Sequence, residues 1–359
     1  MATYLIRRLL LMIPTLLGIT MVVFFIMAWS PGGIGGPMLT EQGNIKGQDA
    51  QRIREYYEKR YGLNKPAYIQ YLRWLNEISP LGFHLHEDGR LGSFGFKRPS
   101  LGESLMRHQP VSTLLAQALP VTLLLNLISI PIVYGIGIIS GLMAARRRGG
   151  WFDVGSGATF LTLWSVPSIW AGVLMIGLLA NKQYFDFFPT AGLHSLWASD
   201  MTFLPHHLAG SRGWDPGWLL DTLWHLILPI ACLSYGGFAF LAKLTRGSVL
   251  DNISSDYIRT ARAKGLSEHV VLYRHVFRNS LLSLITVASA ILPSLLAGSV
   301  VVETVFSIPG MGELGLEAVL AHDRELVLAV TLIAGMIGLL STILRDVCYA
   351  IADPRVGYE

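Results

Sequence analysis

Charge is what this sequence has least of. Only 14% of its 359 residues are Asp, Glu, Lys or Arg, against roughly 25% in an ordinary soluble domain. With 52% hydrophobic residues, a soluble fold would have too little charge to cover its surface. Cysteine is almost missing as well. Cys232 and Cys348 lie far apart, within or at the end of apolar runs, which argues against a disulfide framework and against a CxxC metal site. The cationic excess is small, 28 Lys and Arg against 24 Asp and Glu. No basic patch interleaved with aromatics accompanies it, so nucleic acid is not an expected partner. The G-x-x-x-x-G-K-[ST] phosphate loop is also absent, which leaves no nucleotide-burning site of that type in the chain.

What the sequence does have is long uncharged apolar runs. Six of them, approximately 9–28, 115–144, 155–180, 223–242, 281–302 and 326–344, contain no Asp, Glu, Lys or Arg. At ~1.5 Å rise per residue, each is long enough to cross a hydrocarbon core of ~30 Å. The first run follows Arg7 and Arg8 like a leader, but it exceeds a cleavable apolar region of about 7–15 residues and no A-x-A site follows. It reads as an uncleaved span. The expected fold is therefore an all-α integral membrane protein with six transmembrane helices and the lipid bilayer as its solvent.

Lys and Arg placement sets the expected orientation. With the N-terminus inside, the short inner segments carry Arg7 and Arg8, then Arg146, Arg147 and Arg148. The third inner segment carries Lys243, Arg246, Arg259, Arg262, Lys264, Arg274 and Arg278. The outer loops after the third and fifth runs hold only Lys182, Arg212 and Arg324. This bias predicts N-in and C-in. It divides the chain into an N-terminal span (1–29), an outer insertion (30–112) and a core of five spans (113–359), with an inner loop at about 243–279. Within the insertion, 49–61 is rich in charge and aromatics. The segment 67–78 has helical spacing through Tyr68, Tyr71, Leu72 and Leu75, and 80–99 reads as loop. A second outer segment, 181–221, carries Trp197, His206, His207, Trp214 and Trp218.

The inner loop is the most structured of the connections. Ser255 is placed to cap a helix and Asp256 to complement its dipole. Arg262 and Lys264 fall in its last turn, and Gly265 is placed to end it. A helix this short is not stable alone in water, so it needs a surface to rest on. Ser267 is placed to cap a second helix carrying Val270, Tyr273, His275 and Phe277. A loop that merely fixes topology and a docking element for a cytoplasmic partner both fit the charge pattern.

The residues Tyr257, Ile258, Arg259, Thr260, Ala261, Arg262, Ala263, Lys264 and Gly265, followed by His275-Val276-Phe277-Arg278-Asn279-Ser280-Leu281-Leu282, resemble the EAA loop of ABC importer permeases. The version is that of the dipeptide, oligopeptide and nickel permease family. Further motifs follow in the same order: Tyr61-Gly62-Leu63-Asn64-Lys65-Pro66, Gln70-Tyr71-Leu72-Arg73-Trp74-Leu75, Val166-Pro167-Ser168, Phe188-Pro189-Thr190-Ala191-Gly192, and Glu303 through Gly312. Asp346, Tyr349 and Asp353-Pro354-Arg355 are similar to the C-terminal signature. Together these cover nearly the whole chain. Two departures stand out: Ser283 where the loop usually closes with proline, and Arg259-Thr260 in place of Glu-Ala. The long outer segments resemble the microcin C or long-peptide branch.

The resemblance implies a permease subunit of an ATP-driven importer in the bacterial inner membrane, moving peptides from periplasm to cytoplasm. It implies a second homologous permease, two cytoplasmic ATPase domains or subunits that bind ATP and Mg, and a periplasmic substrate-binding protein. No cofactor and no catalytic residue is expected in this chain. Residues 257 and 259–265 would couple to the ATPase. Trp164, Pro167 and Ser168 in the third run, and Pro309 and Gly310 after the fifth, would belong to the translocation path or its gate, with ordinary packing or a turn as the alternative. A nickel-chelate importer permease is an alternative ligand class.

Two other classes stay open. An ion-gradient transporter or channel would place ionisable groups inside its spans, and His225 is the one such residue. A membrane-bound enzyme would need converging ligands, and His84, His86, Glu87, Asp88, His206 and His207 cluster only in loops. Gly137 and Gly141 form a small-xxx-small pair suited to close helix packing, within the chain as the simpler use.

Overall fold

The computed structural model describes residues 2–29, 55, 58, 65–85, 91–104, 106–207, 214–296 and 300–352. The 49–61 segment (apart from 55 and 58), residues 62–64, His86 to Asp88 and the Asp353-Pro354-Arg355 signature lie outside the described residues. In chain order the elements are α1 (Ala2–Trp29), α2 (Ala67–Ile78), the strands β1 (Leu81–Leu85) and β2 (Leu91–Phe96), then β3 (Glu103–Ser104) and β4 (Gln109–Pro110). There follow α3 (Val111–Arg146), α4 (Trp151–Ser165), α5 (Ser168–Leu179), the short strands β5 (His206–His207) and β6 (Trp214–Asp215), α6 (Gly217–Ile253) and α7 (Asp256–Ala263). The chain then runs through α8 (Glu268–Val270), a π turn (Val271–Val276), α9 (Phe277–Leu296), α10 (Val300–Val305), α11 (Met311–Leu320) and α12 (Arg324–Ala352).

Helix dominates because apolar runs in hydrocarbon must satisfy every backbone N–H and C=O within the segment. Among the described residues, four helices are long and apolar enough to cross a membrane: Ile6–Trp29, Val111–Arg146, Gly217–Ile253 and Arg324–Tyr349. A fifth crossing is available if α4 and α5 count as one broken span, bent by 93°. The apolar run expected at 155–180 is therefore two helices broken at Pro167. Pro167 cannot donate a backbone N–H, and the residue before proline avoids the helical region; Val166 is extended at ψ 119. The expected span at 281–302 is helical through Leu296 and again from Val300, with 297–299 outside the described residues.

The chain forms two compact units, residues 1–119 with 314–339, and residues 120–313 with 340–359. In the first, Phe24, Tyr71, Trp74 and Leu328 make a small aromatic core. The Tyr71 hydroxyl donates to the Leu17 carbonyl at 3.0 Å. The Arg324 guanidinium lies 4.0 Å above the Phe24 ring, a cation–π arrangement. Asp323 accepts hydrogen bonds from the Ser104 hydroxyl at 2.6 Å and from the Leu326 N–H at 3.3 Å, capping α12. Two readings need correction. The 67–78 helix is present, but its buried face runs through Gln70, Tyr71 and Trp74, while Tyr68 and Leu72 are exposed. The expected 80–99 loop contains an antiparallel hairpin of β1 and β2, held partly by an edge-to-face Phe83–Phe94 pair.

In the second unit α6 is the central column. Gly137 and Gly141 let α3 approach it closely: a Cβ at 137 would meet the Leu241 Cβ at 2.8 Å, and one at 141 would lie 2.6 Å from the Ala242 carbonyl. The small-residue pair therefore serves packing within the chain. One core gathers Leu125, Leu226, Cys232, Tyr235, Phe306 and Ile308. A separate one gathers Leu142, Ala145, Val249, Ile258, Val271 and Val276.

Candidate coupling site

The segment expected on the inner side begins later than its charge suggests. Helix α6 does not stop at residue 242 but continues to Ile253, so Lys243 and Arg246 stand on a helix and not in a loop. Arg246 makes a two-point pair with Asp153, Nε to Oδ1 at 2.5 Å and Nη2 to Oδ2 at 2.8 Å. This planar fork is the strong form of the interaction, and it ties α6 to the first turn of α4.

Helix α7 follows after a sharp turn. Ser255 occupies its N-cap position, but its hydroxyl donates back to the Asn252 carbonyl at 2.5 Å and makes no bond to the helix N-terminus. Ser267 likewise makes no side-chain cap for α8. These two capping expectations are corrected: the positions are right and the bonds are not made. The C-terminal reading fares better. Gly265 is left-handed at φ 77, its N–H reaches the Arg262 carbonyl at 2.9 Å, and the Leu266 N–H reaches the Ala261 carbonyl at 3.4 Å. That pair of bonds is a Schellman motif, which glycine enters without a Cβ penalty.

One face of α7 is committed to its own chain. Ile258 is 0% exposed and Ala261 is buried with it, three residues apart as a helix requires. They pack on Leu142, Val249, Val271, Leu272 and Val276. Ala261, expected to ease the approach of a partner, therefore serves internal packing. The opposite face is open: Tyr257, Arg259, Thr260, Arg262, Ala263, Lys264 and Gly265 are all exposed. Arg262 forks onto Glu268 at 2.8 and 3.2 Å, bridging α7 to α8. The Arg259–Asp256 pair at 3.4 Å is solvated on both sides, a geometry that contributes little.

Asn252 links this helix to the spans. The Tyr257 hydroxyl donates to Asn252 Oδ1 at 3.0 Å. The Asn252 amide donates to the Ser248 carbonyl on α6 at 2.8 Å and to the Ser280 hydroxyl on α9 at 3.3 Å. The second helix expected after Ser267 is a single turn that runs through the π turn directly into α9.

The other residues singled out in the sequence lie away from α7. Trp164 and Trp170 flank the break in the third span and are both exposed. The Val166 carbonyl at the break accepts the Tyr235 hydroxyl at 2.6 Å, and the Ser168 carbonyl accepts the Cys232 thiol at 3.3 Å. Gly172 brings α5 against α10, where a Cβ would meet Val305 at 2.9 Å. His225, the one ionisable residue within the apolar runs, is buried, with Nδ1 2.8 Å from the Asp221 carbonyl.

Sequence reasoning missed Glu303 as an individual. Pro309 is exposed and Gly310 buried, and beneath them the Glu303 carboxylate, 1% exposed, receives the Gly312 N–H at 2.7 Å and the Glu313 N–H at 3.0 Å. The Thr122 hydroxyl donates to it at 3.2 Å and accepts from the Met311 N–H at 2.8 Å. A carboxylate at a helix N-terminus satisfies donors that no helix can pair internally. A Cβ at Gly310 would fall 2.5 Å from that carboxylate, so only glycine fits. An acidic residue shortly before a helix start was a usable signal for half of this knot; Thr122, so distant in sequence, gave none.

Several apolar helices of membrane-crossing length, with polar connections gathered at their ends, define a helical multi-pass membrane protein. Within that class, residues 137–358 match the binding-protein-dependent transport system inner membrane component family, and residues 1–126 match its N-terminal counterpart. The chain belongs to this family. It is 36% identical to the oligopeptide transport system permease protein AppB of Bacillus subtilis (strain 168) over 359 residues, covering 100% of both chains. It is 34% identical to the inner membrane ABC transporter permease protein YejB of Escherichia coli O157:H7, again over 100% of both. Identity to the di/tripeptide transport system permease protein DppB of Pseudomonas aeruginosa (strain UCBPP-PA14) is 31%, with 100% of each covered.

Proposed function

We propose that this chain is one of two permease subunits of an ATP-driven importer that carries peptides from periplasm to cytoplasm across the bacterial inner membrane. The chain crosses the membrane six times with both ends inside, 1–29 forming the first span, 30–112 the outer insertion and 113–359 the transport core. Helix α7 is the docking element: two cytoplasmic ATPase subunits, which bind ATP and Mg, grip the exposed face of α7 on each permease. The observation that carries this reading is the polar link Tyr257–Asn252–Ser280. Through it a displacement of α7 reaches α6 and α9 together, while Ile258 keeps the helix seated on its own chain.

Peptide cargo is supported by the full-length similarity to relatives named as oligopeptide and di/tripeptide permeases. A periplasmic binding protein delivers the ligand, and the broken third span with the Pro309-Gly310 turn lies along or gates the path. The test is uptake into proteoliposomes holding the reconstituted complex. Transport of labelled peptide is expected to require ATP and all partner subunits, and to survive collapse of the proton gradient. Uptake that follows the gradient and ignores ATP would overturn the reading in favour of a secondary transporter. Competition by microcin C would narrow the cargo to long peptides; competition by a nickel chelate alone would replace peptide as the cargo. Gly265→Asp is expected to abolish ATP-coupled uptake or complex assembly, and retention of both would remove α7 from its assigned role.

A further inference from the structure

Helices α3, α4 and α6 line an open groove of about 530 Å³ at the charged end of the second unit, within the size range of small-molecule sites. Its walls are apolar, with Ala144 from α3, Phe160, Leu161 and Trp164 from α4, and Phe240 from α6. Helices α3 and α6 are long and apolar enough to cross a membrane, and α4 is half of the bent pair that would make a further crossing. Gly157 leaves the wall open: a Cβ there would meet nothing within 4 Å.

The rim is cationic. Arg246 is neutralised by Asp153, but Lys243, which also lines the cavity, makes no hydrogen bond or ion pair to any described residue. The turn bearing the exposed Arg147 and Arg148 is tied to the same place, because the Gly149 N–H donates to Asp153 at 2.9 Å. At the cavity, Lys243 and Arg246 stand with the single lining carboxylate Asp153, on which Arg148 also acts electrostatically. An occupant must present an anion at the rim and hydrocarbon along the wall, at the level where a membrane-crossing helix emerges from the bilayer.

We propose that this cavity binds one anionic phospholipid of the inner leaflet, its phosphate held by Lys243 and its acyl chain lying along Ala144, Phe160 and Leu161. Basic pockets between transmembrane helices on the cytoplasmic side are suited to such headgroups, and the lysine stem can lie along the apolar wall while its ammonium meets the phosphate.

The test is native mass spectrometry of the full chain released from nanodiscs of phosphatidylglycerol and phosphatidylethanolamine in a 1:3 ratio. One phosphatidylglycerol is expected to stay bound in preference to phosphatidylethanolamine. Lys243→Ala is expected to lower its retention about fivefold, the weight of one lysine near an anionic surface. Gly157→Phe, which sets a ring into the cavity from a position whose Cβ meets nothing within 4 Å, is expected to lower it further. Lys182→Ala, the same change of charge on an exposed outer residue, is expected to leave retention unchanged. Equal retention of the two lipids, or equal loss in Lys243→Ala and Lys182→Ala, would overturn the proposal. So would a Gly157→Phe chain that keeps its lipid but no longer associates with a second permease, since that face would then belong to protein.

Discussion

The turn around Glu303 and the helix α7 are built on opposite plans. Around Glu303 each polar group has its counterpart inside the chain: one buried carboxylate, one hydroxyl and three backbone N–H groups close on each other, and glycine at 310 is imposed by the carboxylate beside it. Helix α7 is specified on one side only. Two apolar side chains and a Schellman turn hold it in place, and the remaining face is left solvated. A segment that completes itself fixes geometry; one that leaves half its surface uncommitted is available to another molecule.

Substitutions can break this contrast. The largest effect is expected at Glu303→Ala, which strands two backbone donors and a hydroxyl in the interior, at a cost on the order of 4 kcal/mol. A steep fall in the apparent melting temperature of the detergent-purified chain would register it, and a melting temperature near the parent's would show that the knot contributes nothing. Ile258→Ala should come next, at about 3 kcal/mol for a fully buried aliphatic side chain. The loss should be local, seen as faster hydrogen exchange over 256–263 with exchange around 303–313 unchanged. Global melting of equal depth in both variants would erase the distinction between the regions.

Gly265→Ala should cost about 1 kcal/mol, because alanine must be held left-handed, and Gly265→Asn should recover part of it. Circular dichroism in a denaturant series reads both. The smallest structural effect belongs to Arg259→Ala. With a side chain 75% exposed, its loss should not move the melting temperature measurably, yet it should lower ATP-coupled uptake in the reconstituted complex. Unchanged uptake would sharpen the comparison differently, by confining the docking surface to Tyr257, Arg262 and Lys264.

Much of this fold could be read from the order of residues, and the boundary of legibility is physical. Apolar runs without charge identify their helices because hydrocarbon permits little else. Gly265 and Pro167 were legible because each acts on the backbone by itself, glycine by admitting the left-handed region and proline by fixing φ and removing a donor. The hairpin of β1 and β2 escaped notice because glycine-rich alternation resembles loop, and its pairing is set by Phe83 and Phe94 meeting across strands. Tyr68 and Leu72 carried the helical period of α2 correctly but not its direction, since Phe24 and Leu328, which choose the buried face, lie far away in sequence. Around α7, the helix and its terminating glycine were legible and the contacts that seat it were not. Asn252, Glu268 and Ser280 act through contacts between elements, and neither spacing nor composition records those.

The π turn at Val271–Val276 fixes the rotational phase of α9. A π turn holds one residue more than a regular helix, so every side chain beyond it is swung by about 100° from where an uninterrupted α-helix would aim it. That swing presents Ser280 to Asn252 and buries Leu284 beside Val133 and Leu241. Deleting a single residue between 271 and 276 would restore ordinary winding and rotate these contacts away together, leaving a well-formed helix that faces the wrong neighbours.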